Sequence, residues 1–417
     1  MTNLHKLQGK TLLMLDGTPN MINILGRTKE LGIKTVIANF YEPEKARAKL
    51  FADAYEIVDI KDLDAMEQVI RKHCADGILQ GCTDSHLPYY HALCRRMNFP
   101  CYGTLEQFEL SIDKKKIKAL CRKYDVPVTP EYAAPENVPD DAYPVIVKPA
   151  DGSGSRGFSV CRNAQELREA CAKAEGVSLS GEVLIEKFMP YEKSVIIHYT
   201  LADGRIYYSG MSDKVSRKAS EDGSPIMALQ YFPSHGESEY LSGLNAKVIR
   251  MIEGAGFKNG VIWIEAFYDG ENFTFNEMGY RFGGSLTYYP VEWMTGIKQL
   301  DLLIEYALTG KYESLPEVKP RPEGVYCIFP MHVRPGVIKS ITGIEQLKHK
   351  PEFVAFIQKY FEGDAVGAWG YTKQVFSYIH FTAENRQVAE RFIDWIISTL
   401  YVAGESGEQL LYNIYRP

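Results

Sequence analysis

Val261-Ile262-Trp263-Ile264-Glu265-Ala266-Phe267-Tyr268-Asp269-Gly270-Glu271-Asn272-Phe273-Thr274-Phe275-Asn276-Glu277-Met278-Gly279-Tyr280-Arg281 is the stretch from which the rest of the chain can be read. It predicts two strands about a Tyr-Asp-Gly turn. Both flanks are aromatic and apolar, so the strands should be largely buried. Carboxylates in such a place are costly unless paired or bound to metal. With a three-residue loop, Glu265 and Glu277 share parity and face one side of the sheet. Hard oxygen ligands on a rigid sheet suit Mg²⁺, which takes one or two carboxylates and completes its shell with phosphates and water. An ideal register leaves the two acids well apart, so two ions or a strongly twisted hairpin would be required. Arg281 lies on the same face, where it could neutralise a phosphoryl group or fork onto a carboxylate. An ion pair between Glu277 and Arg281 is the plainer alternative.

Upstream, Lys148-Pro149-Ala150-Asp151-Gly152-Ser153-Gly154-Ser155-Arg156-Gly157 ends a strand in lysine and opens into a glycine and serine loop. Backbone amides of such a loop can approach phosphate oxygens while the ammonium adds charge. It is neither a P-loop nor the start of a Rossmann helix, and a flexible hairpin tip is the competing reading. Between the two clusters runs Val183-Leu184-Ile185-Glu186-Lys187-Phe188-Met189-Pro190, with Glu192 two residues on. Its main chain could hydrogen-bond an adenine edge and Glu192 could hold ribose hydroxyls. An edge strand with solvated charges is the alternative.

The beginning of the chain alternates strands and helices. Residues 10–15 form an apolar run before Asp16-Gly17-Thr18-Pro19, helical spacing follows over 20–31, and strands are predicted at 35–38, 54–59 and 77–80, with a helix over 62–74. That alternation implies a parallel, doubly wound sheet. Ligands sit beyond the carboxyl ends of such strands, so Asp16-Gly17-Thr18 and Cys82-Thr83-Asp84 are either site edges or plain turns. One charged helix is predicted over 106–124, and the Pro-rich stretch 127–144 reads as a hinge. Helices are predicted over 238–254 and 298–308, and near 343–350, 351–361 and 385–400. Ser212 to Lys218 reads as a solvated charged loop or an anion clamp, and His235 as either a substrate-facing or a surface residue.

Composition limits the function. The 417 residues suit two or three domains, and 45% hydrophobic with 24% charged residues is a globular balance. A net charge of −6 gives no field that attracts nucleic acid or anionic lipid, so neither is an expected partner. No segment approaches the roughly 18 apolar residues of a membrane span, and no secretion leader is predicted. Eight scattered cysteines without a C-x-x-C pair argue for reduced thiols and a cytoplasmic location.

The order of the clusters carries more than any one of them. A lysine and glycine loop, then E-K-x-x, then E…E-x-x-x-R-x-G-G resembles the ATP-grasp superfamily, which includes biotin carboxylase, D-alanine–D-alanine ligase and the L-amino-acid ligases. Ser111-Ile112-Asp113-Lys114 resembles the superfamily's S-x-D-K. The resemblance covers roughly residues 10–400 and implies an α/β and α+β architecture. A Rossmann-like domain over 1–105 would precede an ATP-grasp domain over 106–320, with a mobile lid about 125–190. An α+β closing segment would occupy 321–417. The resemblance further implies ATP and Mg²⁺ as cofactors. Lys114, Lys148, Ser153, Gly154 and Ser155 would then contact phosphates, Glu186, Lys187, Phe188 and Met189 adenine, and Glu192 the ribose. Glu265 and Glu277 would ligate Mg²⁺. Arg281, with Lys148, would act on the transferred phosphoryl group.

One departure stands out: the superfamily usually reads E-x-N-x-R, and the Asn position here is Gly279. The implied activity is carbon–nitrogen ligation through an acyl phosphate, with small carboxylate and amine substrates, one of them an amino acid, and a possible homodimer. The alternatives are a sugar- or nucleotide-linked carboxylate as substrate, or an ATP-binding sensor without catalysis.

Overall fold

The computed structural model describes residues 4–151, 157–178, 180–218, 225–367 and 374–415. The first unit is a parallel sheet in the order Ala54–Ile57, Lys34–Asn39, Thr11–Met14, Gly77–Leu79. Thr11–Met14 is fully flanked, with Leu12 opposite both Thr35 and Gly77. Its Leu12, Leu13 and Met14 are wholly buried, as a strand covered on both faces requires. Helices Met21–Glu30, Leu63–Lys72 and Leu87–Met97 complete the βα alternation.

The single helix expected over 106–124 is two, Leu105–Ile112 and Lys114–Lys123. Asp113 breaks them apart. Its backbone is extended, and its carboxylate accepts from Lys115 N (2.9 Å) and Lys116 N (3.1 Å), which caps the second helix. The helix expected over 238–254 likewise divides, at Leu244, into Glu237–Gly243 and Asn245–Gly254.

A small antiparallel sheet follows in the order Glu131–Tyr132, Val183–Lys187, Val145–Pro149, Ser159–Cys161. Helix Ala164–Glu175 packs on it through Leu167, Ala170 and Ala174, giving this unit a core of its own. Its leading segment is tied to the hairpin, because Phe275 N donates to Pro127 O (2.8 Å) and Thr129 N to Phe275 O (3.1 Å).

The main sheet is antiparallel and nine-stranded. It runs from Phe273–Gly279 through Gly260–Tyr268, Ser194–Ala202, Arg205–Lys218 and Pro225–Phe232 to Val325–Val333, Val375–Ala383 and Phe353–Gln358, and Leu411–Tyr412 adds to Val325–Val333. It thus extends without interruption from the acidic hairpin to the last third of the chain. Two sequence expectations fail on this sheet. Ser212 to Lys218 is strand, not a solvated loop. Residues 353–358, expected to be helical, pair with Val375–Ala383. Among the described residues no helix is long and apolar enough to cross a membrane.

Candidate active site

The hairpin departs from the expected register in two ways. Its loop is Asp269 to Asn272, four residues rather than three, folded by Asp269 Oδ1 accepting from the amides of Glu271 (3.0 Å) and Asn272 (2.8 Å). Pairing then runs Tyr268↔Phe273 to Ala266↔Phe275 and resumes at Glu265↔Glu277, leaving Asn276 as a β-bulge. The two acids are therefore direct cross-strand neighbours, not well apart. The bulge also rotates Asn276 out of its ideal parity, and its Nδ2 lies 3.5 Å from Glu265 Oε1.

Like charges directly opposite each other on a sheet repel, and cations from other elements offset this pair. Lys214, two strands away in the sheet, places Nζ 2.6 Å from Glu265 Oε2. Burial alone would lower the Lys214 pKa, but Glu265 outweighs it and the ammonium ends above its ordinary value. Lys114, at the start of its helix, is pushed below its ordinary value by burial, while the charge of Glu277 opposes the shift.

Lys148 reaches the same place from the small sheet. Its Nζ donates to Asn276 Oδ1 (2.8 Å) and lies 2.9 Å from Glu186 Oε2. Glu186 is wholly buried, and its other oxygen pairs with Lys118, which also meets Glu131 Oε1 at 3.1 Å. Since the Glu186 carboxylate is turned inward on two lysines, any contact of this residue with a base would come from its main chain. Beyond it Lys187 is exposed, Phe188 and Met189 are half-buried, and Glu192 is exposed in the turn Tyr191–Lys193. Phe188 meets Tyr191 edge to face at 5.3 Å. Ser153, Gly154 and Ser155 lie outside the described residues.

Arg281 forks onto Asp84, not Glu277, with Nε donating to Oδ1 (2.6 Å) and Nη2 pairing with Oδ2. Burial opposes its charge, but Asp84 holds the guanidinium above its ordinary pKa. The Cys82-Thr83-Asp84 and Asp16 turns thus belong to the site, joined by Thr83 Oγ1 donating to Asp16 Oδ2 (3.0 Å). The chain after Arg281 is held from several sides. Asn20 Nδ2 donates to Gly284 O (2.7 Å), Cys82 Sγ reaches Gly283 O (3.6 Å), and His380 Nε2 meets Ser285 O (2.9 Å). His235 is not part of this constellation. It is exposed and bonded to Asp213 (2.7 Å), whose side chain points to the sheet face opposite that of its neighbour Lys214.

Gly279 has a steric explanation. It lies opposite Trp263, and a Cβ there would sit 2.3–2.4 Å from indole atoms. The indole occupies the space an Asn side chain would need, and it carries the Arg281 guanidinium 5.4 Å above its ring.

The donor set fits a hard divalent cation: two opposed carboxylates with a carboxamide alongside. Among the described residues no three His, Cys, Asp or Glu side chains form a cage of their own, so phosphate or water oxygens would have to complete the shell.

Lys118 is absent from the sequence reading, while Asp84 enters it only within a possible site edge and Lys214 only within a possible anion clamp. Lys118 stands one helical turn after Lys114, and Lys214 alternates with apolar Met211 and Val215 along its strand. Those are the available signals.

A lysine opening a capped helix, a lysine on a small antiparallel sheet, opposed acids on a bulged hairpin of a large antiparallel sheet, and a preceding parallel βα unit together decide the architecture. Superposition agrees. The biotin carboxylase domain of Hydrogenobacter thermophilus 2-oxoglutarate carboxylase matches with a TM-score of 0.77 and 19% identity, over 95% of this chain and 91% of that one. The chain has an ATP-grasp fold. The L-amino acid ligase of Bacillus licheniformis shares this ATP-grasp fold with a TM-score of 0.75 and 18% identity, over 95% of this chain and 99% of that one. Residues 113–205 match the carbamoyl-phosphate synthase L chain, ATP binding domain. The large chain of Clostridium acetobutylicum carbamoyl phosphate synthase is 25% identical over 291 residues, which is 68% of this chain and 26% of that one. The ATP-grasp chain thus spans about a quarter of that relative's length.

Proposed function

We propose that this chain is an ATP-dependent carboxylate–amine ligase that works through an acyl phosphate and takes an amino acid as one substrate. The observation that carries this reading is the cross-strand pair Glu265 and Glu277 with Asn276 bulged beside it, where Lys148 contacts Asn276 and Arg281 stands within the field of Glu277. The wide structural likeness to an L-amino acid ligase supports the amino acid.

In this mechanism a carboxylate oxygen of the acid substrate attacks the γ-phosphorus of ATP, the bond to the β-bridging oxygen breaks, and ADP leaves. The amine nitrogen then forms a bond to the acyl carbon as the acyl C–O bond breaks. Inorganic phosphate leaves and the nitrogen gives up a proton. No protein nucleophile is required, and the residues act by position and charge. Lys148 and Lys114 hold phosphate oxygens, Arg281 turns from Asp84 toward the transferred group, and the lid sheet excludes water from the acyl phosphate. Mg²⁺, which Glu265 and Glu277 would hold, neutralises charge on the phosphates when bound.

The test is ADP release screened over pairs of acids and amines. Turnover should require both, and Glu277→Gln and Arg281→Ala should each abolish it while circular dichroism stays that of wild type. Near-normal turnover in both variants removes the assignment.

A further inference from the structure

The other cations at this site pair with a carboxylate or stand in the field of one, and one lysine beside them stands differently. Lys148 faces Glu186, Lys214 faces Glu265 and Arg281 faces Asp84. Lys359 has no carboxylate within salt-bridge distance among the described residues, and the contact its ammonium does make is with the ring of Tyr378, 5.4 Å from the centroid.

Lys359 follows strand Phe353–Gln358, and its position is fixed on both sides. Its own amide donates to Phe376 O (2.8 Å). Before it, Phe356 O accepts from Asn23 Nδ2 (3.4 Å) in the first helix. After it, Phe361 meets Phe51 at 6.4 Å and Asp364 pairs with Arg47. The segment is thereby pressed against the parallel βα unit on the side where Asp16, Cys82 and Asp84 gather. Cys82 records the result: burial pushes its thiol up to about 12, Asp16 adds to the rise, and Arg281 and Lys359 both oppose it. Both cations therefore lie within electrostatic reach of one sulfur. Tyr378 in turn acts on Lys214, which links Lys359 to the acid pair. Between these groups passes Gly283-Gly284. Among the described residues a Cβ at 283 would approach only Thr287 Oγ1 (3.6 Å), and one at 284 only Asn20 Nδ2 (3.7 Å), so none of them fills the space beside this backbone.

We infer that Lys359 binds the carboxylate of the amine substrate, so that an α-amino acid enters as the nucleophile with its own acid group held at the end of strand Phe353–Gln358. This deepens the ligase reading and rests on it. A substrate activated at its carboxylate has spent that charge on the phosphoryl group. The incoming amino acid keeps a free carboxylate, which requires a cation set apart from the phosphate-binding lysines. A half-buried ammonium with no carboxylate of its own meets that requirement without breaking an existing pair.

The experiment uses the full chain and Lys359→Met and Lys359→Arg variants. The standard amino acids serve as acids, and ADP release is measured with amino acids and their matching α-amides as amines. Wild type should favour the amino acid over its amide by about 10- to 100-fold in kcat/KM, the range of a charge-assisted contact. Lys359→Met should bring the amino acid down to the level of the amide, leaving the amide rate and the KM for ATP unmoved, and Lys359→Arg should keep most of the preference. Wild type that does not distinguish acid from amide overturns the inference whatever the variants do, as does a preference that survives in Lys359→Met. If wild type releases no ADP with any pair, the ligase reading itself fails and takes the inference with it.

Discussion

Glu186→Gln separates two roles that the sequence alone could not distinguish. The substitution keeps size and shape but removes the charge between Lys118 and Lys148, which are 1% and 10% exposed at the side chain. Removing one partner of a buried ion pair costs about 3–5 kcal/mol, because the remaining charge is stranded. The lower end applies here, since Lys118 keeps Glu131 and Lys148 keeps Asn276. A loss of about 3 kcal/mol, with a urea slope of about 3 kcal/mol/M, moves the midpoint down by about 1 M. Urea unfolding followed by fluorescence and circular dichroism measures this, and equilibrium dialysis with ATP measures affinity on the same samples. A variant that unfolds at the wild-type midpoint yet binds ATP poorly would refute the argument, because it would place the carboxylate on the nucleotide instead of between the lysines.

Gly279→Asn should destabilise by about 1–3 kcal/mol, an overpacking cost, since its Cβ meets the Trp263 ring. Adding Trp263→Ala should recover part of that loss, and a double-mutant cycle with zero coupling would contradict the steric account. Asp84→Asn should leave Arg281 buried without its carboxylate and lower the thermal midpoint more than Arg281→Ala combined with Asp84→Asn does; the reverse order in calorimetry would count against the pair. Three buried histidines make the fold acid-sensitive. Burial lowers His198 and His380 from 6.5 to about 3 and His332 to about 4. Their unfolded forms take up protons first, so stability is full above pH 6.5 and falls as pH drops through the window down to about 3–4. The slope is at most about 1.4 kcal/mol per pH unit per histidine. Neither ring nitrogen of His332 has a hydrogen-bond partner among the described residues, so His332→Leu should flatten the fall in urea midpoint between pH 6.5 and 5. An unchanged slope would mean that His332 is not the residue that titrates.

Local patterns in the sequence gave the βα alternation, the strand-loop lysine and the acidic hairpin, because each is written in periods of a few residues. The register of that hairpin was also legible in principle. Phe273 and Phe275 alternate inward, yet the next buried apolar residue is Met278, a slip of one position that marks the bulge at Asn276. Residues 351–361 misled for the opposite reason. Phe353, Phe356, Ile357 and Tyr360 fall at helical spacing, and only pairing with Val375–Ala383 makes the run a strand. The ion pairs were out of reach. Lys214 and Glu265 are 51 residues apart, Lys118 and Glu186 are 68 apart, and Arg281 and Asp84 are 197 apart. No periodicity encodes which distant charge will answer which.

Those pairs bear on how a chain of net charge −6 could take a polyanionic nucleotide. Each is a cation whose field is already met by a carboxylate held on a different strand, helix or turn. A phosphate arriving at Lys148 or Arg281 competes with Glu186 or Asp84, and binding gains only the difference between two contacts. The exchange favours ligands that bring several charges at once, or a cation that occupies Glu265 and Glu277 and frees Lys214. Among the described residues Lys359 has no such exchange to make. On the proposed ligase reading, a single carboxylate would bind there at near its full value, so the phosphate-rich substrate would fall to the paired lysines and the small acid to Lys359.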